Sequence, residues 1–221
     1  MVRESGILAL GALALGSYLT ISAHFDDIYP FLMKNLNDEH PLIRSISCWT
    51  LSRFTNWFCS KYQERPDLLK DYFSEVLKKM LDPSTPVQEA ACSAVSKVTL
   101  KEPFFVESYI LDVMAILKEV VGLYQKKSVA YMYDVIASVA HNCAREKVQD
   151  PQVQEVMMKI LVHKWEISTF DNYESVTLLE CTDTVIDALE GHMINYAEFF
   201  LPKTLFLIAN YITARKVTNR N

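Results

Sequence analysis

A pattern returns along this chain every forty or so residues. A β-branched residue followed by a polar or small one opens a helical segment at Val2, Ile43, Val87, Val129 and, less clearly, Val176, at spacings of 41, 44, 42 and 47 residues. A repeat of that length is one helical hairpin, which cannot bury its apolar face alone and must stack on its neighbours. The first helices of the pairs then fall between the openings, over 26–36, 69–81, 107–125, 151–165 and 196–214. Start signals agree with this phasing. Thr85-Pro86-Val87-Gln88 predicts Pro at the first helical turn behind a Thr cap, with Gln88 set for a capping box. Asp150-Pro151 and Pro41 open helices in the same way, and 81–86 (LDPSTP) is a turn.

The period is that of HEAT and armadillo arrays, and the expected fold class is all-α: a HEAT-repeat superhelical solenoid of paired antiparallel helices. Five glycines in 221 residues are too few for Gly-rich nucleotide loops or an extensive antiparallel sheet. No low-complexity run or linker divides the chain, so it is expected to form one array of about five repeats over 1–221. The phasing makes 3–20 a second helix without a first, and 196–214 a first helix without a second. Both ends are therefore expected to expose apolar surface, as in a slice of a longer array truncated at both ends.

The formal charge of −5 argues against a nucleic-acid partner and favours a basic one. Cys48, Cys59, Cys92, Cys143 and Cys181 are odd in number and form no C-x-x-C pair, so they are expected to be small buried hydrophobes in a reducing compartment. The apolar run 7–23 (ILALGALALGSYLTISA) is short for a membrane span and lacks a basic leader, so it is expected to form a buried helix. No nucleotide, hydrolase or metalloprotease motif occurs, the five histidines are scattered, and Asp26-Asp27 suits a helix start better than a catalytic pair. The residues thus point to a binding scaffold, not an enzyme, with no metal or cofactor.

The most informative stretch is 42–54 (LIRSISCWTLSRF). On a helix, Ile43, Ser47, Leu51 and Phe54 share one face, and Ile46, Trp49 and Arg53 share the adjoining one. The first can pack on a partner helix. The second sets an indole beside a guanidinium, which suits a groove gripping an extended peptide.

The segments RESGILALGA (3–12), PLIRSISCWTLSRF (41–54), VQEAACSA (87–94), YDVIASVA (133–140), KW (164–165) and LLEC (178–181) together resemble the transportin, or karyopherin-β2, family. These importin-β-class receptors carry proline-tyrosine nuclear localisation signals through the nuclear pore. The resemblance covers nearly the whole chain and weakens after about Ala188. It implies a cargo-binding middle portion of such a receptor, present in cytoplasm and nucleus, with Leu8, Trp49 and Arg53, and Ile46 beside them, forming the Pro-Tyr pocket. Asp134 and Glu180 match acidic positions that meet the basic part of the signal. Ran GTPase and nucleoporins are implied partners of the full-length family, their main sites partly outside this chain. Three positions depart from the family pattern: Leu100 and His141 replace acids, and Lys97 stands where a small polar residue is usual. Losing two partly exposed carboxylates predicts roughly 1–2 kcal/mol less attraction for a basic cargo. The alternative is a truncated or diverged HEAT scaffold for protein–protein interaction, without import activity.

Overall fold

In the computed structural model, which describes residues 2–125, 128–170 and 173–218, every regular element is helical. The chain begins with α1 (Val2–Leu13), α2 (Tyr18–Ser22), α3 (Phe25–Asn35), α4 (Pro41–Arg53) and α5 (Thr55–Lys61). It continues through α6 (Pro66–Lys79), α7 (Thr85–Lys101), α8 (Pro103–Glu107), α9 (Ile110–Leu123) and α10 (Ser128–Asn142). Last come α11 (Arg145–Val148), α12 (Pro151–Ile167), α13 (Tyr173–Leu189), a 3₁₀ turn over Glu190–Tyr196 and α14 (Ala197–Thr218). The order is periodic. Each second helix (α1, α4, α7, α10, α13) is followed by a short helical turn and then by the first helix of the next unit (α3, α6, α9, α12, α14).

The second helices form one layer, in which α4 lies along α1 and α7, and α10 along α7 and α13. The first helices form the other layer and touch one another far less. The layer whose members lie closer together is the inner wall of a curved stack, so the second helices form the concave face.

Sequence dictates the local starts. Prolines open α4, α6, α7, α8 and α12, where the missing N–H costs nothing. Asp150 caps α12 by accepting the Gln152 amide. The capping box expected at Thr85 is not formed. Ser84 is the N-cap, Thr85 is already helical, and no side chain caps this end. Instead, Gln88 Nε2 donates to the Asp82 carbonyl (2.7 Å), and Asp82 Oδ1 accepts the Ser84 amide (2.9 Å). Asp82 can serve as this anchor because Arg44 already fixes it.

The N-terminal apolar run is also neither one helix nor buried, since Leu8, Leu13, Leu15 and Leu19 are exposed. It stops at Leu13 and restarts at Tyr18, because Gly16-Ser17 are weak helix formers and the chain must turn to bring Tyr18 and Phe25 against Phe54. Those rings stack at 5.9 and 4.2 Å between centroids, and Phe58 stacks on Tyr72 at 4.3 Å. An aromatic seam thus joins α2 and α3 to α4, α5 and α6. Along α4 and its C-cap, Ile43, Ser47, Leu51 and Phe54 are all buried, and removing a side chain such as Leu51 would cost about 2–5 kcal/mol.

Polar ties repeat with the same period. Arg3 pairs with Asp38 (2.8 Å), and Arg44 grips both oxygens of Asp82 at 2.8 Å each. Asp38 and Asp82 hold the same place, in the turn between a first and a second helix. Each arginine therefore pins its own second helix to the turn of the next unit. Arg44 also donates to the carbonyls of Asp38 and Glu39.

Candidate functional site

The concave wall is where α1, α4, α7, α10 and α13 present their free faces. The middle of α4 turns Ile46, Trp49 and Arg53 toward it, all three half-buried, while the opposite face of the helix is core. Gly11 on α1 lets the indole sit where it does. A methyl group there would overlap Cζ3 of Trp49 and come within 2.6 Å of Thr50 Oγ1. Thr50 Oγ1 donates to the Ile7 carbonyl (3.1 Å), which fixes the close approach of α1 and α4. Trp57 and Trp165, by contrast, are buried in the core.

Leu8, Ile46 and Trp49 line one hollow of about 450 Å³, together with Pro86, Ala90 and Tyr131 and the polar Ser45, Glu89 and Ser93. Leu8 is 50% exposed, so α1 offers an uncovered apolar side chain at its rim. Arg53 does not line this hollow, but its guanidinium stands over the Trp49 ring at 5.6 Å. An indole, two aliphatic side chains and a planar cation at the rim form a surface suited to an apolar residue and to the backbone carbonyls beside it.

Two further hollows adjoin the first. One, of about 440 Å³, runs between α7, α10 and α13 and is lined by Lys97, Leu100, Asp134 and His141 among others. The other, of about 350 Å³, lies between the C-terminal ends of α1, α4 and α7 and is lined by Tyr18, Ser52, Arg53, Asn56, Lys97 and Lys101 among others. Lys97 and Leu100 form the ridge between these two. Lys97 Nζ donates to Ser52 Oγ (2.9 Å), which in turn donates to the Trp49 carbonyl (2.7 Å).

The acids expected at the site are placed unevenly. Asp134 lines the second hollow, one turn along α10 from Tyr131 of the first. Glu180 lines none of these three hollows, but its charge reaches Asp134. Shielding by the groove walls, with Glu180 adding to it, holds the Asp134 carboxyl above its ordinary value. His141 and Leu100 are both exposed on this wall, where they add no negative charge at neutral pH. Sequence reasoning missed Gly11, because a lone helical glycine carries no sign of what approaches it. Pro86, Ala90 and Tyr131 were likewise missed, since only stacking of the units brings them to Trp49. Among the described residues no group of three or more His, Cys, Asp or Glu is placed to hold a metal ion, and no helix is long and apolar enough to cross a membrane.

Fold and groove together define an α-solenoid of the HEAT class. The model of the HEAT-like repeat family matches residues 1–54. A designed armadillo repeat protein superposes on 88% of this chain and 80% of its own, with a TM-score of 0.65 at 16% identity. Another, solved in complex with a (KR)4 peptide, covers 83% of this chain and 80% of its own, with a TM-score of 0.59 at 17% identity. These likenesses show the fold. In sequence, the chain is 33% identical to Transportin-1 of Homo sapiens over 225 residues, 99% of this chain and 24% of that protein. It is 31% identical to Transportin of Dictyostelium discoideum over 96% of its length, and 28% identical to Importin subunit beta-2 of Schizosaccharomyces pombe over 95%. The chain is a relative of the transportins, and it spans about a quarter of the length of these curated relatives.

Proposed function

We propose that this chain recognises proline-tyrosine nuclear localisation signals, as the cargo-recognition segment of a transportin-like nuclear import receptor. The observation that carries the reading is the hollow shared by Leu8, Ile46 and Trp49, with Arg53 over the indole. In this reading Trp49 packs on the proline or tyrosine ring, Leu8 and Ile46 close the apolar wall, and Arg53 hydrogen-bonds the peptide backbone. Asp134, with Glu180 beyond it, meets basic residues further along the signal. A receptor with this role works between cytoplasm and nucleus and meets Ran GTPase and nucleoporins. In the relatives' family the main sites for those partners lie partly outside the matched segment, so Ran-GTP is not expected to release peptide from this chain alone.

The test is titration of a Pro-Tyr signal peptide at two salt concentrations into the parent chain, Trp49→Ala and Asp134→Asn. Binding lost in Trp49→Ala, with a weaker salt dependence in Asp134→Asn than in the parent, supports the reading. No binding by a folded chain overturns it. The departures at Lys97, Leu100 and His141 favour a second reading, in which the helices still pack as an interaction scaffold but the groove no longer takes import signals.

A further inference from the structure

The hollow between the C-terminal ends of α1, α4 and α7 has an unusual balance of charge. Arg53, Lys97 and Lys101 line it, and none of its lining residues is acidic, although the chain as a whole carries a formal charge of −5. Among the described residues, the ion pairs join other partners and none uses these three cations. Arg53 and Lys101 stand in the last turns of α4 and α7, where the helix ends attract cations, so those two have an ordinary explanation. Lys97 does not. It lies a turn further in, half-buried, and is drawn toward Arg53 by its bond to Ser52 Oγ.

Bringing a second cation beside a first in a part-shielded hollow is unfavourable unless an anion joins them. Burial, and then the proximity of Arg53, hold the Lys97 ammonium below its usual pKa. One of its three N–H donors is used on Ser52, which leaves two for a ligand. Tyr18 and Asn56 add polar groups on the same wall, and the Arg53 guanidinium that lines this hollow also stands over the Trp49 ring.

We propose that this hollow is an anion subsite, which takes the oxyanion of an acidic or phosphorylated side chain on a peptide bound in the groove. The shared chemistry is a carboxylate or phosphate oxygen held between Arg53 and Lys97, with Lys101 at the rim. A ligand that places an apolar ring on Trp49 and an acid one hollow away, toward Tyr18, fits the charge pattern better than a uniformly basic one. The source of the ligand rests on the peptide reading of the groove given above, but the subsite itself is set by the three cations.

The experiment takes a Pro-Tyr peptide series in which one residue at each successive position is Ala, Glu or phosphoserine. Affinities are measured by fluorescence anisotropy at low and high salt, against the parent chain, Lys97→Gln and Lys97→Gln/Lys101→Gln. Glutamine at position 97 keeps a polar donor of similar bulk while removing the charge. In parallel, inorganic phosphate is titrated and followed by NMR at the Arg53 side-chain Nε–H and the amides of 97–101. At one register, Glu should bind roughly 3- to 10-fold tighter than Ala at low salt, and the gain should vanish in both variants. Phosphoserine gaining more than Glu assigns the site to phosphate, and an equal gain assigns it to either oxyanion without preference. If the peptides bind but no register gains, or the gain survives in the double variant, the subsite is refuted while the Pro-Tyr reading stands. If no peptide binds, the Pro-Tyr reading fails and the phosphate arm decides. Shifts that disappear in Lys97→Gln/Lys101→Gln uphold the subsite, and no shifts at all refute it.

Discussion

The six-membered ring of Trp49 occupies the space in which a side chain at position 11 of α1 would stand. The glycine costs α1 about 1 kcal/mol of helix propensity relative to alanine, and what it gains is a seat for the indole against the neighbouring helix. Trp49 is thereby held half in the wall and half in the groove, with Arg53 over it. A tryptophan in the core would lack that exposed half, and one on an open surface would lack the support.

Gly11→Ala should therefore displace Trp49. Overpacking costs about 1–3 kcal/mol and the gain in helix propensity returns about 1 kcal/mol, so the net loss of stability should be small. The change in the site should be larger than the change in stability. Tryptophan emission should move to the red as the ring is pushed toward solvent, and Pro-Tyr peptide affinity should fall. Unchanged emission and affinity would mean that the ring is not seated on Gly11.

Asp82→Ala should destabilise the middle of the array by roughly 3 kcal/mol, because it leaves the Arg44 guanidinium shielded and stripped of its carboxylate partner. Burial alone would raise the pKa of Asp82, but the Arg44 fork and the Ser84 amide outweigh it and hold the carboxyl below its ordinary value. A folded pKa below the unfolded one, about 3.9, means the pair stabilises fully above that pH. The contribution is lost as pH falls from there through the lowered folded value. Urea midpoints measured from neutral pH down to about 3 should fall less steeply in Asp82→Ala than in the parent. Parallel curves would show that the pair contributes nothing specific.

Asp134 behaves in the opposite sense. Its folded pKa is raised by burial and by Glu180, so the unbound chain keeps this proton to higher pH than the unfolded chain does. That lowers stability as pH rises through the interval between the two values. A basic ligand must find Asp134 ionised, so affinity for a basic peptide should increase as pH rises through the raised pKa. Glu180→Gln should bring the Asp134 titration, followed by NMR of its carboxyl carbon, back toward the ordinary value. It should also shift the pH profile of binding downward, and Asp134→Asn should flatten that profile. A titration unmoved by Glu180→Gln would place the cause elsewhere.

All five cysteines are free, and four of them are buried. Burial pushes the thiols of Cys48, Cys59, Cys92 and Cys143 up to about 12, each with a lesser contribution from a neighbouring group. At neutral to mildly alkaline pH the folded chain should react slowly with a thiol reagent, and all five positions should react after denaturation in urea. Fast labelling of Cys48 or Cys92 in the folded chain would contradict this packing.

The forty-residue recurrence, the proline starts and the alternation of faces on 42–54 made the helical hairpins legible, because each is a local property that neighbouring residues share. Two local readings still failed. The Thr85 cap lost to Asp82 and Ser84 of its own turn, where Arg44 of the preceding unit holds Asp82, and the apolar run at 7–23 broke at Gly16-Ser17, where the chain turns Tyr18 onto Phe54 of the next unit. The short turns α2, α5, α8 and α11 gave no periodic signal, being shorter than the window in which periodicity can be seen.

Sequence by itself therefore determined the unit: two helices, their phase, and which face of each is apolar. It also placed Ile46, Trp49 and Arg53 on one face of α4, since that depends only on helical pitch. Tertiary structure decided what stands opposite that face. Leu8 joins the same hollow because α1 packs on α4 through a glycine, Asp134 falls one hollow away, and Lys97 is turned toward Arg53 by Ser52. The physical reason is that a solenoid groove is assembled from residues forty or more positions apart. Their spacing is set by the packing distance between stacked helices, which no pattern within a single helix contains.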